Sequence, residues 1–329
     1  MRILFLHPYG DPIGDWNHRL ARQAELMAEV CDLKVMGFYV PPEHLGLSDA
    51  DRDRINEAID EFKPDILYIN GYLVAFYCLD VFDKIVYDMG SYRCRNLLLD
   101  HHKITYVDSR EMSAKELRKK LSWSYSAPEY KKENKVIQNV DEIIIWEGEE
   151  AELVRKIHGV DEKVNEISMV FYETPKPIPW SKKKNRAIAA AAQWGNRTKN
   201  GRLLYNVNED IKIASVGHGG TWKEFMSHDR LMEEMNNSKV VFCPYICGGI
   251  GIINEALKMD CNVVLGSWHP YRIYANKELQ IPYEGRVVGQ AKRVVRKALK
   301  KRYLPEKKLP SERTQLDKVM KICEKVASK

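Results

Sequence analysis

The stretch Val240–Ser267 (VVFCPYICGGIGIINEALKMDCNVVLGS) holds the residues whose types and spacing best suit chemistry. It reads as strand, glycine loop, helix, strand. Gly248, Gly249 and Gly251 let the backbone take positive φ and pass close to a ligand. The helix after them aims free N–H groups and the positive end of its dipole at that ligand, and both favour an anion such as a phosphate. Glu255 lies about a turn inside the helix. A carboxylate there accepts hydrogen bonds from two neighbouring sugar hydroxyls, which is how acidic residues select a ribose. Loop, helix start and carboxylate agree on a nucleotide.

A second group of polar residues lies in the N-terminal half. Asp88 ends an apolar strand just before Met89 and Gly90, at the mouth of a sheet, where it is a candidate catalytic base. His7, Asp11, Asp15 and His18 surround the loop after the first strand. They are candidates for a base or for contacts to an acceptor, with Asp15 also placed to cap the next helix. Arg93 and Arg95, near Asp88, suit an anionic acceptor. His101 and His102 read as a solvated turn. The seven cysteines are scattered without a CxxC pair, which indicates neither a zinc site nor a disulfide framework. Reduced thiols and a cytoplasmic setting are expected. No paired-aspartate metal motif stands out, so neither a metal nor a cofactor is expected.

Alternating elements must position these residues. Arg2–His7, Asp32–Tyr39, Asp65–Asn70, Lys84–Asp88, Ile104–Asp108, Glu142–Trp146 and Val164–Val170 read as strands. Helical spacing is expected over Asp15–Glu29, Asp49–Glu61, Ala114–Trp123, Pro128–Asn139 and Glu149–His158. Residues 173–185 (ETPKPIPWSKKKN) carry three prolines and three consecutive lysines and read as an inter-domain linker. The pattern then restarts. Strands are expected at Arg186–Ala192, Ile211–Val216, Lys239–Cys243 and Asn262–Leu265, and helices at Asp229–Asn236, Ile252–Met259, Gly289–Arg302 and Ser311–Ala327. Such repetition is the signature of α/β domains built on parallel sheets covered on both faces.

The Val240–Ser267 stretch resembles the glycosyltransferase group 1 family. In that family a strand leads to a glutamate, a Gly-Phe-Gly loop and a second glutamate eight positions on. Here Phe242-Cys243-Pro244 ends the strand, Gly249-Ile250-Gly251 stands near the loop, and Glu255-Ala256-Leu257 matches the helix. Cys247 falls where the family has its first glutamate. The resemblance implies two Rossmann-like domains facing across a cleft, the B-type glycosyltransferase fold. It implies an N-terminal acceptor-side domain over 1–172, a nucleotide-sugar domain over 186–303, and a C-terminal segment, 304–329, crossing back to the first domain. It places the donor on Gly10, Gly217, Cys247, Gly248, Gly249, Ile250, Gly251 and Glu255, with Arg197 and Lys199 clamping its diphosphate. Asp11, Asp15, His18 and Arg93 would face the acceptor.

The resulting expectation is a metal-independent transfer of a sugar from a nucleoside-diphosphate sugar to a glycan, lipid, protein or DNA base. Composition bounds the alternatives. The chain of 329 residues carries 30% charged residues and a net charge of +6, suited to phosphate ligands, an anionic membrane surface or nucleic acid. The basic helix 292–302 is the expected contact for a membrane or for nucleic acid. A DNA-modifying glucosyltransferase of the same fold is one rival, and a non-catalytic nucleotide-binding protein, favoured by Cys247, is another. A nicotinamide dehydrogenase is disfavoured, because the loop after the first strand (HPYGDPIGDW) lacks the GxGxxG spacing.

Overall fold

The computed structural model describes residues 1–10, 18–38, 46–90, 93–104, 106–122, 127–146, 148–168, 170–195, 199–221, 226–246, 249–283 and 285–329. The chain divides into two compact units, one of Met1–Phe171 with Pro310–Lys329 and one of Tyr172–Leu309.

In the N-terminal unit the described strands are β1 (Arg2–His7), β2 (Asp32–Gly37), β3 (Ile66–Asn70), β4 (Ile85–Met89), β5 (Glu142–Ile145) and β6 (Val164–Glu166). They form one parallel sheet in the order β2-β1-β3-β4-β5-β6. β3, β4 and β5 are buried throughout, as largely apolar strands covered on both faces must be. The helices are α1 (His18–Ala28), α2 (Asp49–Phe62), α3 (Tyr72–Cys78), α4 (Arg93–His102), α5 (Tyr106–Glu111), α6 (Ala114–Ser122), α7 (Ala127–Asn139) and α8 (Gly148–His158). α2 starts at Ser48, whose hydroxyl accepts from the Asp51 amide, with Asp49 and Asp51 in the first turn. The last helix, α13 (Glu312–Ala327), packs on β3, β4 and β5 and beside α1. Ser311 caps it, and its Leu316, Val319, Cys323 and Val326 are buried in the N-terminal unit.

Two expected strands differ. Ile104–Asp108 has the β-branched and aromatic content of a strand, yet Tyr106–Glu111 is a helix. β4 pairs directly with β5, so the sheet has no slot for a strand between them. The helix instead packs on α8, with Asp108 in its first turn and Arg110 in its last. The strand expected over Val164–Val170 spans only Val164–Glu166, at the sheet edge beside β5.

In the C-terminal unit, β7 (Lys184–Gln193), β8 (Ile213–His218), β9 (Ser238–Cys243), β10 (Asn262–Gly266) and β11 (Gln280–Ile281) form a second parallel sheet, ordered β11-β10-β9-β7-β8. Counted from its own first strand this repeats the order of the first five strands of the N-terminal sheet. Its helices are α9 (Gly201–Asn208), α10 (His228–Asn236), α11 (Ile250–Lys258) and α12 (Val287–Lys300). α12 lies on β7, β9 and β10 beside α9, while α10 and α11 pack together on the sheet. Residues 173–185 are pinned to this unit through Asn236, at the end of α10. Its side chain accepts from the Ile178 amide at 3.0 Å and from Lys183 Nζ at 3.2 Å, and donates to the Lys176 carbonyl at 2.8 Å.

Candidate functional site

In a sheet of this order, β7 has the next strand in sequence on one side and β9 on the other. Right-handed crossovers send the connections after β7 and β9 to opposite faces, which opens a crevice at the carboxyl ends of these two strands. The loops that follow them are therefore where a ligand belongs. The loop after β7 carries Lys199 and leads into α9, and the loop after β9 leads through Pro244 and Tyr245 into α11.

Tyr245 joins the two loops. Its hydroxyl donates to the Ala190 carbonyl of β7, and its ring lies 6.3 Å from that of Trp194. Lys199 Nζ stands 5.0 Å from the centre of the Tyr245 ring, a cation–π contact that holds the ammonium at the end of the sheet. Trp194 is itself fixed by its indole N–H, which donates to the Val216 carbonyl of β8 at 3.0 Å. Trp268, after β10, donates to the Tyr245 carbonyl at 2.8 Å. Lys199 thus rises from a floor of buried aromatic rings.

Gly249 caps α11 with φ of 73°, a left-handed conformation that favours glycine. A Cβ at this position would meet the Tyr245 ring at 2.4 Å, and one at Gly251 would meet the Tyr172 hydroxyl at 2.9 Å. Two tyrosines thus press against the start of α11, and the glycines are needed for that packing as well as for any ligand. The first turn of a helix has backbone N–H groups with no intrahelical acceptor, and here that turn begins at Ile250, directly after the Tyr245 loop.

Glu255, farther along α11, is buried at 2% exposure. Burial raises its pKa to about 8, opposed by the nearby Lys258 ammonium. His228 Nε2, at the start of α10, lies 3.4 Å from its Oε1. The carboxyl is therefore mostly protonated at neutral pH. It faces an imidazole and can both donate and accept a hydrogen bond. Lys258 in turn donates to the Tyr172 carbonyl at 2.7 Å.

Of the residues singled out in the sequence, Lys199, Gly249, Ile250, Gly251 and Glu255 gather at this end of the C-terminal unit. Gly217 lies near the end of neighbouring β8, with φ of 109°. Arg197, Cys247 and Gly248 lie outside the described residues, as do Asp11 and Asp15. His18 begins α1 and Arg93 begins α4. Gly10, φ 72°, donates its amide to the Phe38 carbonyl at 3.3 Å, closing the loop after β1 onto the end of β2. Among the described residues no three His, Cys, Asp or Glu side chains are grouped to hold a metal ion.

Asp88 is fully buried at the end of β4. Its Oδ2 accepts from Arg19 Nη1 at 3.0 Å and from the Tyr68 hydroxyl at 3.2 Å, and its Oδ1 from the Trp146 indole. Arg19 also donates to Gln23 Oε1 at 3.0 Å and lies over the Trp146 ring, 4.8 Å from its centre. Gln23 completes the circuit by donating to the Tyr68 oxygen at 2.6 Å. Both carboxylate oxygens are occupied by buried donors, which ties α1, β3, β4 and the end of β5 together. Arg95, the other arginine near Asp88, is paired with Glu150 at 3.0 Å. His102 ends the helix α4 where a turn was expected.

By sequence the chain matches no protein-family model and no curated protein. Solved structures match it over nearly its whole length. Sucrose-phosphate synthase from Thermosynechococcus elongatus superposes with a TM-score of 0.60 at 11% identity, covering 100% of this chain and 98% of that one. UDP-GlcNAc 2-epimerase from Methanocaldococcus jannaschii gives 0.57 at 11% identity, covering 99% and 100%. A glycosyltransferase from Rickettsia africae gives 0.55 at 9% identity, covering 99% and 98%. The chain has the B-type glycosyltransferase fold. Identities this low establish the fold alone.

Sequence reasoning does not single out Tyr245, Trp194 or His228 at the B-type fold's second sheet, nor Arg19 in the first. Tyr245 follows Pro244 directly after a buried strand, so its place at a strand's carboxyl end is visible, but its bridge to β7 is a long-range contact. Arg19 and Gln23 are one helical turn apart on α1, and nothing in their local sequence marks them for burial. Only the position of Asp88 on a distant strand explains their burial.

Proposed function

We propose that the chain transfers a sugar from a nucleoside-diphosphate sugar, with the donor held on the C-terminal unit. The observation that carries this reading is the convergence of Lys199, the Gly249-capped start of α11 and Glu255 around Tyr245, at the strand-order reversal of a parallel sheet. The diphosphate lies against the Lys199 ammonium and the first N–H groups of α11. Glu255 hydrogen-bonds the ribose hydroxyls. As the bond between the sugar's anomeric carbon and the diphosphate breaks, negative charge grows on the leaving phosphate. Lys199, Arg197 and the helix start stabilise that charge more than they stabilise the ground state. These groups supply positive charge without a divalent cation, and metal-independent transfer is part of the proposal. The fold likeness to an enzyme named for UDP-GlcNAc supports a nucleotide-sugar ligand.

The test is a thermal-shift and calorimetric screen against UDP, GDP and their sugars, followed by product analysis with and without EDTA. Stabilisation by a nucleoside diphosphate and release of that diphosphate from its sugar are the expected results. No stabilisation by any of them removes the proposal. Because an epimerase shares the fold, the product analysis also looks for a sugar inverted at carbon 2, which would replace transfer by epimerisation.

A further inference from the structure

The segment Arg286–Lys308 carries ten lysines and arginines and a single acidic residue, Glu306. Its surplus of nine exceeds the +6 of the whole chain, so the remainder of the protein is net acidic. The positive charge is thus a property of one segment, with half of its cations on the helix α12.

The two faces of α12 have separate roles. Ala291, Val294, Val295 and Ala298 are buried against the sheet. At about 100° per residue, Gly289, Arg293, Arg296 and Lys300 fall on the opposite side of the helix. With Lys297 they line a shallow open depression. Arg293, Arg296 and Lys300 are exposed, and among the described residues none of them is in a salt bridge. Lys292 and Lys297, on the flanks, are paired with Asp210 at 2.6 Å and Glu278 at 2.5 Å. The apolar stripe of α12 is therefore taken up by the core, and the face that remains outward is cationic.

The helix runs directly into an exposed apolar residue. Leu304 is 62% exposed, with Lys301 and Arg302 before it and Lys307 and Lys308 after it. Its carbonyl accepts from Asn276 Nδ2 at 2.7 Å, and Lys307 lies over the Tyr274 ring, which fixes this segment beside Ile273, itself 48% exposed. Cations around protruding aliphatic side chains match a bilayer interface, where ammonium and guanidinium groups meet lipid phosphates and the aliphatic groups enter the acyl boundary. Base-specific or single-strand recognition of a nucleic acid would instead call for exposed aromatic rings or a groove-reading element. Tyr303, the aromatic residue in the segment, is buried beneath Lys297 and Lys301.

We propose that the outer face of α12, together with Lys301, Leu304 and Lys307, docks the protein peripherally on an anionic lipid bilayer. No described helix is long and apolar enough to cross a membrane, so the attachment is of the surface kind. None of these residues belongs to the proposed donor site, and the inference stands apart from the transferase reading.

Flotation of the full chain with vesicles of phosphatidylcholine, with and without phosphatidylglycerol, tests it. Binding is expected only where phosphatidylglycerol is present, falling as salt is raised. With about a fivefold loss for each cation removed, the triple variant Arg296→Ala, Lys300→Ala, Lys301→Ala binds about a hundredfold more weakly. Leu304→Ser weakens binding while leaving its salt dependence unchanged, because the lost contact is apolar. All four positions are exposed, and circular dichroism confirms that the variants fold. Equal binding to both vesicle types, or wild-type binding by the triple variant, overturns the proposal. So does binding to duplex DNA at a salt concentration that abolishes vesicle binding.

Discussion

Replacing Glu255 by glutamine isolates the cost of burying an acid in α11. The carboxyl is 2% exposed and its pKa is raised to about 8 from an ordinary 4.5, chiefly by desolvation. Below pH 4.5 the group is protonated in both the folded and the unfolded chain, and its contribution is flat. Between 4.5 and 8 the unfolded chain releases the proton and the folded chain keeps it, so stability falls as pH rises. At about 1.4 kcal/mol per pH unit, the loss between about pH 4.5 and pH 7 comes to about 3 kcal/mol. Glutamine has a similar shape and no titration. The stability of Glu255→Gln relative to wild type should therefore climb by about 3 kcal/mol over that range, on the order of 10 °C in midpoint temperature. Urea unfolding of both proteins at half-unit pH steps measures this. His228, 3.4 Å away, is present in both chains, and the same comparison on a His228→Asn background separates any contribution of the imidazole. Parallel stability profiles for the wild type and the Glu255→Gln variant would mean that the native carboxyl is ionised, and the reasoning from burial would be wrong.

Three other substitutions test separate parts of the structure. Lys199→Ala should weaken nucleoside-diphosphate binding at least about tenfold by calorimetry, from loss of a charge-assisted contact, with little change in the unfolding midpoint; unchanged affinity removes it from the donor site. Gly249→Ala should destabilise the chain by more than about 1 kcal/mol in thermal unfolding, because the new Cβ would enter the Tyr245 ring at 2.4 Å and φ of 73° strains alanine. Arg19→Leu should cost about 3 kcal/mol by leaving Asp88 without its counter-ion, and adding Asp88→Leu should recover part of it; additive losses would mean that the two are not coupled.

The alternation of strands and helices was legible because parallel strands buried on both faces are short apolar runs, as in Ile66–Asn70 and Ser238–Cys243. The Val240–Ser267 motif was legible for the same local reason: glycine, helix start and acid are near neighbours in sequence. What could not be read was anything set by distant partners. Ile104–Asp108 has strand composition but becomes part of a helix because β4 and β5 already pair. Residues 173–185 have linker composition, yet Lys183 and Ile178 meet Asn236 more than fifty positions away. Glu255 was visible as an acid at the right spacing, whereas its burial, and with it the raised pKa, depends on how α10 and α11 pack.

The two sheets share one strand order, so topology alone does not say which of them holds a nucleotide. The proposal that it is the second rests on the side chains at the strand ends. In the N-terminal unit the strand ends carry His7, Asn70 and Asp88, all buried. Asn70 donates to the Asp88 carbonyl at 3.2 Å, and Arg19, Tyr68 and Trp146 fill the carboxylate. A carboxylate matched this completely by protein donors stiffens a core and offers little to an incoming anion. In the C-terminal unit the ends of β7 and β9 lead instead to an ammonium held out over an aromatic ring and a glycine-capped helix start. An anion brought to the first sheet would meet the carboxylate of Asp88, whereas at the second it meets positive charge and helix N–H groups. That difference in chemistry on a repeated topology is what the proposed placement of the donor on the C-terminal unit rests on.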